Sequence, residues 1–314
     1  GIIMGRNPDV SYGTYRLLSF DELWKKSGFD ESEHMFSVRT RSADEEYGNG
    51  VHQWYCGMQD AGGVLQKGPW VGNRFHWYCL FDNEDYRITK GVKHRFQYDS
   101  QVKNGRGYYY PGTPEYKLMA TGKNMDDVKV QEPVAPFNDG LTYTNSISSN
   151  CLAFTTKYAD VTDPTIGRTD AYWPFLRYAD IVLIYAEAQC ELNDGISQDA
   201  IDALNDIRIR SNAKEASVTG DGAIETKVEL RSVIFEERAK ELAYEGDRRW
   251  DLLRWGIYLD VMNSLGGIND DGTRTPYDEG SINKRREFRH LLYPLPSLEV
   301  STNMAIDKNN PGWN

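Results

Sequence analysis

The rhythm of apolar and polar positions changes near residue 175. From Leu176 to Asn193 the chain is apolar through most of its middle. Periodicity alone would allow a strand there, but the length and the residues Ala186, Ala188 and Gln189 predict a buried helix. Gly195 ends it and Ser197 is placed to cap the next, where Ile201, Leu204 and Ile207 recur at the i, i+3, i+6 spacing of one helical stripe. A second pair is predicted over Glu225–Glu245 and Asp247–Met262, with Gly246 between them. Two helices in roughly 34 residues is the size of a tetratricopeptide-type hairpin, and such hairpins bury their faces by stacking about three or more repeats. Two pairs are too few for that, which predicts further helices outside this sequence.

Residues 1–175 follow a different pattern. They hold 18 of the 28 Gly, 14 of the 20 Tyr and 5 of the 8 Trp, with turn clusters at Asp60-Ala61-Gly62-Gly63, Asn104-Gly105-Arg106-Gly107 and Pro111-Gly112-Thr113-Pro114. Such punctuation breaks helices and leaves short strands joined by loops, where function usually sits when a rigid frame holds them. The expected fold is therefore mainly α with irregular loops and short strands. A loop- and short-strand-rich ligand-binding region at 1–175 precedes a helical frame at 176–262, and an irregular C-terminal segment at 263–314 packs on that frame.

Charge and composition narrow the partners. With 314 residues, 39% hydrophobic and 26% charged, the chain is long enough for a substantial core and is not disordered as a whole. A net charge of −11 argues against nucleic acid, which needs clustered Lys and Arg. The longest unbroken apolar stretch, Ile181–Ala186, is far short of the roughly 20 residues that cross a bilayer. Gly1–Val10 carries neither a secretory nor a lipidation motif, so either the mature protein is soluble or a targeting segment has been removed. Cys56, Cys79, Cys151 and Cys190 lie too far apart for a zinc ribbon or a thioredoxin-like pair. They read as buried free thiols, with one disulfide, Cys56 to Cys79, as the alternative.

Phosphate-binding loops, dinucleotide fingerprints and nucleophile elbows are absent from the sequence, and the five His residues are widely spaced. Glu237, Glu241 and Glu245 repeat at i, i+4 and i+8 along one helix face, where they would repel one another without nearby cations. A structural ion-pair network with Arg177, Arg208, Arg238, Arg248, Arg249 and Arg254 is the preferred reading over a metal site, since no His accompanies the stripe. Gly267–Gly272 followed by Asp278 loosely follows a calcium loop, but Gly267 occupies the first ligand position and a solvated turn fits better. No cofactor is expected beyond that weak calcium signal. Among 47 acidic residues no hydrolytic carboxylate pair can be located.

The aromatic surplus is the stronger lead: 28 of 39 rings are Tyr or Trp, which suit surfaces that are dry on one side and polar on the other. Trp54, Trp70, Trp77, Tyr108 and Tyr110 sit among the glycines of the loop-rich half and are the candidate ligand-binding residues. In an extended segment Tyr108 and Tyr110 share a face. A flat ring with a polar edge matches a sugar, with C–H groups on its faces and hydroxyls at its rim.

Several segments together resemble the SusD/RagB family of outer-membrane nutrient-binding lipoproteins. These are Arg177–Ala188 (RYADIVLIYAEA), Asn205, Arg208 and Arg210 in ALNDIRIRSNA, and Glu237–Gly256 (ERAKELAYEGDRRWDLLRWG). Leu292–Pro296 and Asn310-Pro311-Gly312-Trp313 add to them. Within the longest segment Ala239 and Asp247 depart from the family's usual residues. Weaker matches fall at His34-Met35-Phe36, Asp85-Tyr86-Arg87 and Lys157-Tyr158. The resemblance implies that this chain is the C-terminal portion of a longer protein whose other half holds most of the tetratricopeptide repeats and a lipidated cysteine.

It also implies a non-enzymatic glycan binder on the extracellular face of the outer membrane, working with a SusC-like TonB-dependent transporter. Membrane contact would come only through a lipid anchor absent from this sequence. A peptide-binding uptake component of the same architecture is the alternative, and a glycoside hydrolase is a third reading. The signature residues lie on the helical frame, so the ligand candidates rest on aromatic clustering alone.

Overall fold

A computed structural model of the chain describes residues 15–30, 32–42, 47–68, 70–71, 77, 80–82, 84–93, 95–97, 104–107, 142–145, 154–264, 267–268, 274–275 and 286–313. They fall in two compact units, one ending at Glu245 and the other beginning at Gly246. In chain order the first unit opens with α1 (Phe20–Leu23), a 3-10 turn at Lys26–Asp30, β1 (His34–Val38), α2 (Val51–Cys56), β2 (Met58–Gln59) and β3 (Leu65–Lys67). It continues with α3 (Tyr86–Thr89), β4 (Val92–Lys93), β5 (Arg95–Gln97), β6 (Asn104–Gly107), β7 (Thr142–Asn145), β8 (Phe154–Thr155) and β9 (Trp173–Arg177). Three longer helices close it: α4 (Tyr178–Leu192), α5 (Gln198–Arg210) and α6 (Lys227–Glu241).

Among the described residues the strands form small sheets and no closed layer: β1 with β9, β2 with β3 and β4 with β8 are antiparallel pairs, and β5, β6 and β7 make a three-stranded sheet in which β6 and β7 are parallel. The helices supply the main core. Tyr178, Ala179, Val182, Leu183, Ala186 and Cys190 fall on one face of α4 and pack with Ala200, Ile201, Ala203, Leu204 and Ile207 of α5 and with Leu230 and Ile234 of α6. The small residues Ala179, Ala186, Ala200 and Ala203 bring the helix backbones close.

Helix starts follow local chemistry. The Ser197 hydroxyl accepts from the Ala200 N–H, and Thr226 and Glu229 form a reciprocal capping box at the head of α6. The expected helix to Glu245 stops at Glu241: Tyr244 adopts φ +69° and Gly246 φ +104°, left-handed values that turn the chain out of the helix.

In the second unit the expected single helix over Asp247–Met262 is instead two, α7 (Arg248–Arg254) and α8 (Tyr258–Ser264). Gly256, at φ +74°, breaks it, and the Ile257 N–H folds back to the Leu252 carbonyl. Beyond lie β10 (Gly267–Ile268) with β11 (Arg274–Thr275), a 3-10 turn at Phe288–Leu291 and α9 (Ser297–Thr302). The two C-terminal sequence signatures bond to each other, Asn310 donating to the Tyr293 carbonyl at 2.7 Å, and next to them the Asn309 side chain receives the Leu295 N–H at 2.7 Å.

Candidate functional site

The first unit carries two constructions of contrasting chemistry, an exposed ring pair and a buried cluster of charges. The ring pair begins on α2, whose Val51, His52 and Cys56 turn inward while Trp54 faces out, 44% exposed. Below it, a His52 ring nitrogen (Nδ1) lies 2.8 Å from the Tyr158 carbonyl, the Cys56 thiol donates to the Thr155 carbonyl, and Tyr55 packs on Tyr158, Trp173 and Tyr244. Burial lowers the His52 pKa and pushes the Cys56 thiol up to about 12, so the one favours the neutral imidazole and the other is no nucleophile. Both Cys56 and Cys190 are free and buried, which removes the Cys56–Cys79 disulfide as an alternative.

Trp54 is fixed on both sides. Its indole lies over Gly50, where a β-carbon would stand only 3.0 Å from the ring, and its carbonyl accepts the N–H groups of both Trp70 and Val71 at 2.9 Å. Trp70 is 69% exposed, with the Lys67 ammonium 5.9 Å from its ring centre. Trp54 and Trp70 are thus joined through one carbonyl, with both rings open to solvent. Trp77 is placed differently: its indole N–H donates to the Ala239 carbonyl of α6 at 2.8 Å, and its ring meets Phe81 and Tyr244 edge-on. Tyr108 and Tyr110 lie outside the described residues, as does most of the calcium-like segment from Asn269 to Asp278.

The charges lie where the loops meet the helices. Among the described residues, Glu33, Asp85, Glu237, Glu241 and Glu245 interlock with Arg87, Lys157, Arg177, Arg208 and Arg210, five acids against five cations. Arg177, at the end of β9, reaches Glu33 at 2.6 Å, Glu241 at 3.1 Å and Glu245 at 2.7 Å. Lys157 meets Glu245 at 2.6 Å, Arg208 meets Glu237 at 2.7 Å, Arg210 meets Glu241 at 2.5 Å, and Arg87 joins Asp85 to Glu237. The Trp24 ring lies under the Lys157 and Arg177 cations at 4.7 and 5.1 Å.

Burial alone would raise the pKa of Glu241, but the guanidiniums of Arg210, Arg177 and Arg87 outweigh it and hold the carboxyl well below the usual range. Glu237 and Glu245 are lowered in the same way, against burial, by Arg87 with Arg208 and by Arg177 with Lys157. Two neutral bonds reinforce the junction, from Trp77 to the Ala239 carbonyl and from the Tyr158 hydroxyl to the Tyr244 carbonyl at 2.7 Å. Among the described residues no group of three His, Cys, Asp or Glu side chains is arranged to hold a metal ion.

Sequence reasoning identified the glutamate stripe and two of its cations, Arg177 and Arg208. Arg238 instead pairs with Asp180, Arg249 bonds to Tyr258 and the His290 carbonyl, and Arg254 bonds to Asp251. Arg87, Lys157, Arg210, Glu33 and Asp85 were missed. The family resemblance at Asp85-Tyr86-Arg87, Lys157-Tyr158 and Asn205-Arg208-Arg210 pointed toward all of these except Glu33.

The family model for the SusD family matches residues 59–313, most of the chain. The chain belongs to the SusD family. The match spans the network from Asp85 to Glu245 and includes Trp70 and Trp77, while Trp54 and Glu33 precede it. SusD-like protein P2 of Formosa agariphila is 33% identical over 142 residues, 44% of this chain and 25% of that protein. A solved SusD homolog from Bacteroides thetaiotaomicron superposes with a TM-score of 0.67 at 22% identity, covering 96% of this chain and 56% of that one. Surface glycan-binding protein A from Bacteroides fluxus gives 0.55 at 21% identity, covering 96% and 55%. The chain thus spans about a quarter of the length of the curated relative and little more than half of the solved ones. These structural likenesses establish the helix-rich SusD fold.

Proposed function

We propose that this chain contributes the ligand-binding loops of a non-enzymatic glycan receptor, lipid-anchored at the outer surface of the outer membrane. It would capture oligosaccharide or polysaccharide for uptake through a SusC-like TonB-dependent transporter. The observation that carries this reading is the pairing of Trp54 and Trp70 through a single carbonyl, with both rings open to solvent. A sugar laid on such rings covers its C–H faces, while the Lys67 ammonium beside Trp70 offers hydrogen bonds to its hydroxyls. The name of one solved relative, a surface glycan-binding protein, agrees with this, as does family membership.

In this reading residues 1–175 carry the ligand, and the helices that follow hold the loops in place. The candidate binding residues are Trp54, Trp70, Trp77, Tyr108 and Tyr110. Trp77 would contribute through its position between the loops and α6. Calorimetry against a panel of neutral and acidic oligosaccharides and of peptides tests the proposal. Saturable binding of a glycan that is weakened by Trp54→Ala or Trp70→Ala is expected, while binding confined to peptides, or unaffected by either substitution, overturns it.

A further inference from the structure

Behind the charge cluster lies a cavity of about 10 Å³ lined by Phe20, Trp24, Trp77, Arg87, Gly91, Thr155, Lys157, Lys240, Glu241 and Tyr244. Two of these residues bring buried polar atoms that lack a hydrogen-bond partner among the described residues: the Trp24 indole N–H and the Glu241 Oε2 oxygen. Trp24 is only 7% exposed and Glu241 only 2%, and both atoms are sealed from solvent. Arg87 approaches the Glu241 oxygen no closer than 3.6 Å, an ion pair beyond hydrogen-bonding range. One orphan is a donor and the other an acceptor, and buried polar groups of this kind are normally satisfied.

The volume restricts the occupant to a single heavy atom, since a cavity of roughly 10–15 Å³ holds one water. The lining restricts its chemistry. A metal ion would face Arg87, Lys157 and Lys240, and a halide would face the Glu241 carboxylate. A neutral molecule that both accepts and donates meets neither objection.

We infer that this cavity is an internal water site, in which one ordered water accepts the Trp24 indole N–H and donates to Glu241 Oε2. The site joins the segment after α1 to the frame helix α6 and supplies the hydrogen bond that Glu241 Oε2 does not receive from the cations of the cluster. Gly91 is part of the design: a β-carbon there would come within 2.9 Å of the Phe20 ring and 2.5 Å of the Arg87 carbonyl, so a larger residue would press on the cavity wall.

The unmodified chain provides the test. A high-resolution crystal structure is expected to show one density peak in the cavity, roughly 2.7–3.2 Å from both atoms. In solution the Trp24 indole proton, assigned by its loss in Trp24→Phe, is expected to give a nuclear Overhauser cross-peak to water. An empty cavity, a peak that reaches only one of the two atoms, or a Trp24 indole bonded directly to a protein acceptor overturns the inference. Should Trp24→Phe fail to fold, the crystal structure of the unmodified chain still decides.

Discussion

Trp70 and Trp77 are close in sequence and serve opposite ends. Trp70 hangs from the Trp54 carbonyl with most of its ring in solvent, whereas Trp77 gives its indole N–H to the Ala239 carbonyl and meets Phe81 and Tyr244 with its edge. The same contrast divides the first unit as a whole. The ring pair is tied by backbone bonds and stands over the apolar Val51 and Cys56, while the junction holds, among the described residues, five acids and five cations packed with the Trp24 ring. A surface meant to meet changing ligands tolerates substitution when the structure beneath does not depend on it, and a buried charge cluster tolerates almost none. The two regions should therefore respond to mutation along different axes, one in stability and the other in binding.

The largest effect is expected at Arg177, fully buried and paired with Glu33, Glu241 and Glu245. Arg177→Met removes the cation and leaves three carboxylates close together in a dry site, a loss of about 3–5 kcal/mol by analogy with other broken buried pairs. Urea denaturation followed by circular dichroism should show it, or the variant should fail to fold. A loss below about 1 kcal/mol would mean the cluster is not the junction described above.

Acid should act on the same cluster without any mutation. The folded-state pKa values of Glu237, Glu241 and Glu245 lie below the ordinary 4.5. Their contribution is complete above the unfolded value and is lost as pH falls below it, because the unfolded chain then binds protons that the folded chain refuses. His34 and His52 are also lowered, from 6.5, chiefly by burial, so their contribution begins to fall earlier, as pH drops below about 6.5. The melting temperature should decline gently from pH 6.5 and steeply below about 4.5. A flat profile between pH 7 and pH 3 would contradict both.

Much of the frame was legible because its signals are local. Ser197 sits three residues before the N–H it caps, and the apolar stripe of α5 repeats within a dozen residues. The glutamate stripe on α6 was legible for the same reason, since like charges at i, i+4 and i+8 demand cations from somewhere. Which cations answered was not legible. Arg87 and Glu237 are 150 residues apart and Lys157 and Glu245 are 88 apart, and no periodicity reports a pairing at that range. The neighbouring Arg249 and Arg254 were plausible by sequence proximity and are engaged elsewhere. In the ring region the aromatic excess named Trp70 and Trp77 together and could not separate the exposed ring from the bonded one. That depends on which indole N–H finds a carbonyl on α6.

Intermediate effects should mark the seam between the regions. Tyr158→Phe removes the hydroxyl that donates to the Tyr244 carbonyl, at the residue held in the left-handed conformation where the chain leaves α6. The ring stacked on Trp173 at 5.5 Å is retained, so the change isolates the hydrogen bond and should lower stability by about 1 kcal/mol. Thermal melts of Tyr158→Phe against wild type give the number. An unchanged melt would show that the Tyr244 carbonyl finds another donor.

The smallest stability effect is expected where the binding effect should be plain. Trp70→Ala deletes a ring that is 69% exposed and leaves the backbone bond from its N–H to the Trp54 carbonyl intact, so stability should stay within about 0.5 kcal/mol of wild type. If the ring stacks on a sugar, its loss should weaken glycan binding roughly tenfold, the equivalent of about 1.4 kcal/mol at a contact of this kind. Calorimetry paired with a melt separates the axes. Weaker binding with an unchanged melt supports a ligand surface at Trp70, whereas a destabilised variant would make the ring part of the fold and move the search for the ligand away from it.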